Sequence, residues 1–121
     1  DIDREIKASG KAAFYGILFD TDQATIKPES EETLAEMAKY LLANSQIQVY
    51  IVGHTDNTGS LDHNQQLSEK RAQAVVQALT TTYRVPAAQL SAYGVASLSP
   101  VSTNSSEEGK GKNRRVEMVL K

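Results

Sequence analysis

Between residues 28 and 44 the apolar side chains recur with the period of an α-helix. Leu34, Met37, Ala38, Leu41 and Leu42 fall at i, i+3, i+4, i+7 and i+8. Pro28 stands where a first helical position is expected, and Glu29, Glu31 and Glu32 follow at the positive end of the helix dipole. A helix with one apolar face has to be covered by a second layer, and the flanking segments supply it. Lys11–Phe19 (KAAFYGILF) reads as one continuous apolar strand, and Ile47–Val52 (IQVYIV) as a second, β-branched strand closed by Gly53.

The pattern then repeats. HTDNTGS, residues 54–60, is a loop of turn formers, followed by a helix from about Asp62 to Tyr83. Its start suggests a capping box between Asp62 and Gln65, and its buried stripe is Leu67 or Ser68, Ala72, Val75, Leu79 and Tyr83. Pro86 ends it. Leu90–Tyr93 is a short third strand, residues 95–113 are a long polar connection, and Arg115–Leu120 is a last strand with Val116, Met118 and Leu120 on one face. Ile2 to Ala8 form a helical turn that Gly10 closes. The order β-α-β-α-β-β predicts an α+β two-layer sandwich, its helices packed on one face of a mixed four-stranded sheet. Residues 1–121 read as a single domain, with 1–10 as a lead-in.

Composition narrows the chemistry. There is no Cys, so thiol catalysis, disulfides and Cys-based zinc sites are excluded. A net charge of −2 and a pI of about 5.7 argue against nucleic acid as a partner. No apolar run reaches the roughly 20 residues of a membrane helix. The chain begins at Asp1, and the expectation is a domain excised from a longer protein.

Several constellations of polar residues could carry chemistry. His54, Asp56 and His63, near the C-terminal end of the second strand, offer ligands for a metal-dependent hydrolase, yet Asp56-Asn57-Thr58-Gly59 is equally a self-bonded turn. A Ser68-His54-Asp56 triad lacks the Gly-x-Ser-x-Gly elbow. Asp20, Thr21 and Asp22 have the outline of a calcium loop, but Ala24 and Thr25 stand where a ligand and a Gly are needed. A different arrangement comes from the second helix. Asn64 and Arg71 are seven residues apart, so they share a face, with Ser68 between them and Asp56 in the preceding loop. An anion and a cation facing one cleft suit a zwitterion, although the two could also neutralise each other.

The string Gly53-His-Thr-Asp56-Asn-Thr-Gly59, then Asn64-x-x-Leu67-Ser68-x-x-Arg71-Ala72, then Asn113-Arg114-Arg115-Val116, resembles the OmpA C-terminal (OmpA-like) peptidoglycan-binding domain family. Ile17-Leu-Phe19-Asp20-Thr-Asp22 through Ile26-Lys-Pro28 fits the same resemblance, which covers about residues 11 to 121. It implies non-covalent binding of peptidoglycan in the periplasm, without turnover or cofactor, through the meso-diaminopimelate of the stem peptide. By that resemblance Asp56 holds the ligand ammonium and Arg71 clamps its carboxylate. Thr55, Asn64, Asp20, Thr21 and Asp22 supply supporting contacts, and Arg114 reaches the same groove. Asp22 departs from the Asn or Ser of many members, and His54 carries no ligand contact. The parent would be an outer-membrane or periplasmic envelope protein, or an inner-membrane one clamped to the wall in the manner of a motor stator.

Overall fold

The computed structural model describes all 121 residues. Helix α1 (Ile2–Ser9) is capped by the Asp1 side chain and ends at Gly10, which takes the left-handed conformation at φ 80°. Strand β1 (Lys11–Phe14) follows. A 3₁₀ turn at Pro28–Ser30 leads into α2 (Glu31–Ala43), then β2 (Val49–His54), α3 (Leu61–Thr81), a second 3₁₀ turn at Ala87–Gln89 and β3 (Leu90–Gly94). Helix α4 (Glu107–Asn113) and strand β4 (Arg115–Leu120) complete the chain.

The sheet order is β1-β4-β2-β3. Strands β2 and β3 are parallel, joined across α3, and β4 lies between β1 and β2, antiparallel to both. This is the α+β sandwich with a mixed sheet that the element order predicts. Ile51 pairs with Met118 and Gly53 with Val116, so the apolar residues of β2 and β4 share one face. There they meet Met37 and Leu41 of α2 and Val75 and Leu79 of α3 in one core. Met37, Leu41, Val49, Ile51, Val75, Leu79 and Met118 are fully enclosed. Gln89 closes the far end of α2, its side-chain amide donating to the carbonyls of Leu41, Asn44 and Ile47.

Several expectations are corrected. The first strand stops at Phe14 instead of Phe19, because the Ser30 hydroxyl accepts from the Leu18 N–H and turns the chain off the sheet. Phe19 then bridges Ile26. The second strand is Val49–His54, so His54 belongs to the sheet, paired with Arg115, and not to the loop. Ser60, not Asp62, caps α3, accepting from the His63 N–H at 3.1 Å. Tyr83 lies beyond that helix and donates to the Glu31 carbonyl. Leu42 and Leu120, at element ends, are exposed.

The polar connection 95–113 contains α4, which has no apolar stripe. Polar anchors hold it instead. Ser106 caps it, and the buried Asn113 amide bonds Val101, Ser102 and Asn104.

Helix α3 lies against the C-terminal ends of β2 and β3 at backbone distance. A Cβ at Gly53 would meet the Ser68 carbonyl at 2.3 Å, and one at Gly94 would meet the Glu69 amide at 2.3 Å. Gly94→Ala is therefore expected to push α3 off the sheet and cost about 1–3 kcal/mol, read as a lowered midpoint in denaturant. An unchanged midpoint would show that the helix yields without cost.

Candidate functional site

Four chain segments meet at the C-terminal end of β2: the connection after β1, the loop 55–60, the start of α3, and α4. Between them lies a groove of about 1000 Å³, with the ends of β2 and β4 among its lining. Ligands collect at such strand ends in α/β sheets, because loops there can vary while the sheet holds them.

Asp56 is formed by its turn. Its Oδ1 accepts from the Thr58 N–H at 2.8 Å, and Gly59 completes the reversal at φ 86°. The Thr55 hydroxyl donates to the Asp56 carbonyl, and the Asn64 amide donates to the Thr58 carbonyl at 2.9 Å. Thr55 and Asn64 are thus buried braces of the loop. Asp56 itself is only 8% exposed. Its Oδ2 accepts from Arg114 Nη1 at 2.6 Å. Burial raises its pKa, but the Thr58 and Arg114 hydrogen bonds outweigh this and hold it below the usual carboxylate range.

Arg71 is fixed differently. Its Nε donates to the Gln23 carbonyl at 2.8 Å and Nη2 to the Asp20 carbonyl at 3.1 Å. The guanidinium lies over the Phe19 ring, 4.7 Å from its centroid. Burial lowers its pKa, and the charges of Asp22 and Asp56 oppose that, so it remains a cation. The anticipated neutralisation of Asp56 by Arg71 does not occur, since each has other partners. Seven residues after Glu107, Arg114 spans two carboxylates, donating also to Glu107 at 3.1 Å.

Of the residues singled out in the sequence, Thr21, Asp22, Thr55, Asp56, Asn64, Arg71 and Arg114 border the groove. Asp20 reaches the site only through its carbonyl on Arg71, while its exposed carboxylate faces Lys27 at 3.4 Å. Asp22, in a left-handed conformation at φ 58°, accepts from His63 Nε2 through its Oδ1 at 3.0 Å, so it straps the first loop to α3. Ser68, anticipated in the cleft, is fully buried between Gln65 and Ala96, which removes the hydroxyl of the imagined triad. The metal reading loses its ligand set as well. His54 Nε2 faces Glu117 at 3.4 Å, His63 faces Asp22 and Asp56 faces Arg114, and no three such side chains gather.

Sequence reading missed Glu107, Gly111 and Tyr15, which also border the groove. Glu107 and Gly111 belong to the helix concealed in the polar connection. Its one sequence signal is Ser106 followed by two glutamates, an N-cap with a complementary first turn. Beside the groove lies a buried ion pair, Arg115 Nε donating to Glu117 at 2.8 Å, and the exposed Lys11 approaches Glu117 at 3.4 Å from outside.

Comparison with known proteins shows the family and the fold. Residues 18–114 match the OmpA family. The chain is 39% identical over 104 residues to "Probable lipoprotein YiaD" of Escherichia coli K12, covering 86% of this chain and 47% of that protein. It is 39% identical over 100 residues to outer membrane protein Omp38 of Acinetobacter baumannii, covering 83% of this chain and 28% of that one. The chain thus spans about half or less of these relatives. Among solved structures, the peptidoglycan-associated lipoprotein of Burkholderia pseudomallei superposes with a TM-score of 0.77 at 30% identity, covering 94% of this chain and 92% of that one. The cell wall anchor of the type VI secretion system (T6SS) of Pseudomonas aeruginosa gives 0.74 at 31% identity, covering 98% and 92%. The shared fold and the family match across the groove-forming segments show that this chain belongs to the OmpA family.

Proposed function

We propose that this domain binds peptidoglycan non-covalently through the meso-diaminopimelate of the stem peptide. It would thereby anchor an outer-membrane or periplasmic protein to the cell wall. One observation carries the reading: a buried carboxylate, Asp56, and a half-buried guanidinium, Arg71, border the same groove without neutralising each other. The free end of diaminopimelate presents an ammonium beside a carboxylate. Asp56 accepts from the first and the Arg71 fork donates to the second. The similar structures described as a peptidoglycan-associated lipoprotein and a cell wall anchor support the same partner. Binding without turnover fits the groove, whose Asp56 and Arg71 are held by hydrogen bonds and not paired as nucleophile and base.

Selectivity follows from desolvation. A stem peptide with lysine in place of diaminopimelate brings the ammonium but no distal carboxylate, and leaves Arg71 facing a ligand that cannot accept its hydrogen bond. An unsatisfied group of this kind costs about 1–3 kcal/mol, or about five- to 160-fold in affinity. Calorimetry with the two tripeptides is expected to show binding of the diaminopimelate form and at least that loss for the lysine form. Equal affinities would overturn the diaminopimelate assignment.

A further inference from the structure

The two arginines of the groove are held in opposite ways. Arg71 is fixed to backbone carbonyls on one side and an aromatic ring on the other. Arg114 bonds only carboxylates, one buried and one exposed. Its own side chain is 43% exposed, that of Asp56 12%, and that of Glu107 80%. Asp56 cannot be left unpaired in its buried position, whereas Arg114 can move toward Glu107 and water at little cost. In the free protein, then, Arg114 occupies the carboxylate oxygen that a ligand ammonium would take.

Resting on the diaminopimelate reading, the geometry points to Arg114 and Glu107 as an internal counter-ion exchange that makes the groove selective for a ligand carrying both charges. An incoming ammonium replaces Arg114 on Asp56 Oδ2. The displaced guanidinium keeps its bond to Glu107 and turns its freed Nη1 to the carboxylate of the same ligand. A zwitterion completes both halves of the exchange. A simple amine completes only the first half and leaves Arg114 with one partner fewer than in the free protein. Arg114 therefore disfavours amine-only ligands by competing with them, while Arg71 disfavours them by finding no acceptor. Glu107 has the opposite effect, since it draws Arg114 away from Asp56.

The two residues predict changes of opposite sign, measured by calorimetry with stem tripeptides carrying meso-diaminopimelate or lysine. Arg114→Gln is expected to tighten the lysine peptide by about two- to fivefold, and to narrow the preference for diaminopimelate. Glu107→Gln is expected to weaken the lysine peptide by a similar factor. Lys110→Gln controls for charge alone: it sits on the same helix but reaches Thr58 Oγ1, at 3.4 Å, and not Asp56. It is expected to leave the lysine peptide unmoved. The inference is overturned if Arg114→Gln weakens both peptides alike, if Glu107→Gln and Arg114→Gln shift the lysine peptide in the same direction, or if Lys110→Gln matches Arg114→Gln. If the wild-type domain binds neither peptide, the diaminopimelate reading fails and the exchange fails with it. Thermal melts of each variant separate these outcomes from loss of fold.

Discussion

Arg71→Ala is expected to abolish retention of the domain on peptidoglycan sacculi, with the fold retained but its first loop loosened. The side chain has two tasks. Its free guanidinium edge would meet the ligand carboxylate, while Nε and Nη2 tie the carbonyls of Gln23 and Asp20 to α3. Truncation removes both, together with the stacking on Phe19. The stability cost is about 1–2 kcal/mol, since the released carbonyls lie in an exposed loop and gain water in exchange. Arg71→Lys keeps the charge but not the planar fork, and is expected to recover little binding. Asp56→Ala is expected to abolish retention as well, because it removes the acceptor for the ammonium and leaves Arg114 without its buried partner. Co-sedimentation with sacculi and a thermal melt on each variant make the test. Retention of both Asp56→Ala and Arg71→Ala at the wild-type level would remove the site assignment.

The largest effect on stability is expected at Glu117, which touches no ligand in this scheme. Burial alone raises its pKa, yet the adjoining His54 ring and the Arg115 guanidinium reverse this and hold it at about 2, against an ordinary value of 4.5. Arg115, its partner at 2.8 Å, has a side chain only 1% exposed. Glu117→Ala strands that guanidinium in the interior and is expected to cost about 3–5 kcal/mol. The pH dependence has a definite sign. A carboxyl whose pKa is depressed by folding stabilises the protein fully above its unfolded value, and this contribution disappears as pH falls through its folded value. For Glu117 the window runs from 4.5 down to about 2, and the amount lost is about 3 kcal/mol. Glu117→Gln lacks this titration. Denaturant midpoints of wild type and Glu117→Gln are therefore expected to differ most above pH 4.5 and to converge toward pH 2. A difference independent of pH would show that the carboxylate charge is not what stabilises this pair.

The helices α2 and α3 are legible because their apolar side chains repeat at 3.6 residues over three or more turns, a signal that tertiary context rarely overturns. The end of β1 is not legible. Tyr15 to Phe19 are as apolar as the residues before them, and what turns the chain away is a hydroxyl, Ser30, bonded to Leu18 from twelve residues further along the chain. Helix α4 is hidden for a related reason. Its stability comes from Asn113 and Ser106 bonding backbone groups and from Gly109 fitting against the Thr103 carbonyl, where a Cβ would lie at 1.8 Å. None of that has a period to read.

The same division runs through the site. Asp56, Asn64 and Arg71 are readable because a turn and a helix are local: spacing alone puts Asn64 and Arg71 on one face and Asp56 in the loop before it. Local patterns are therefore enough for the order of the main elements, the family resemblance and an anion and a cation near one strand end. Which charge faces which depends on contacts between distant segments. Asp56 pairs with Arg114, 58 residues away, Arg71 with carbonyls of the first loop, and His54 faces Glu117, 63 residues further along the chain. Charges act through distance in space, and a chain carries no periodic mark of the partners that folding will bring together.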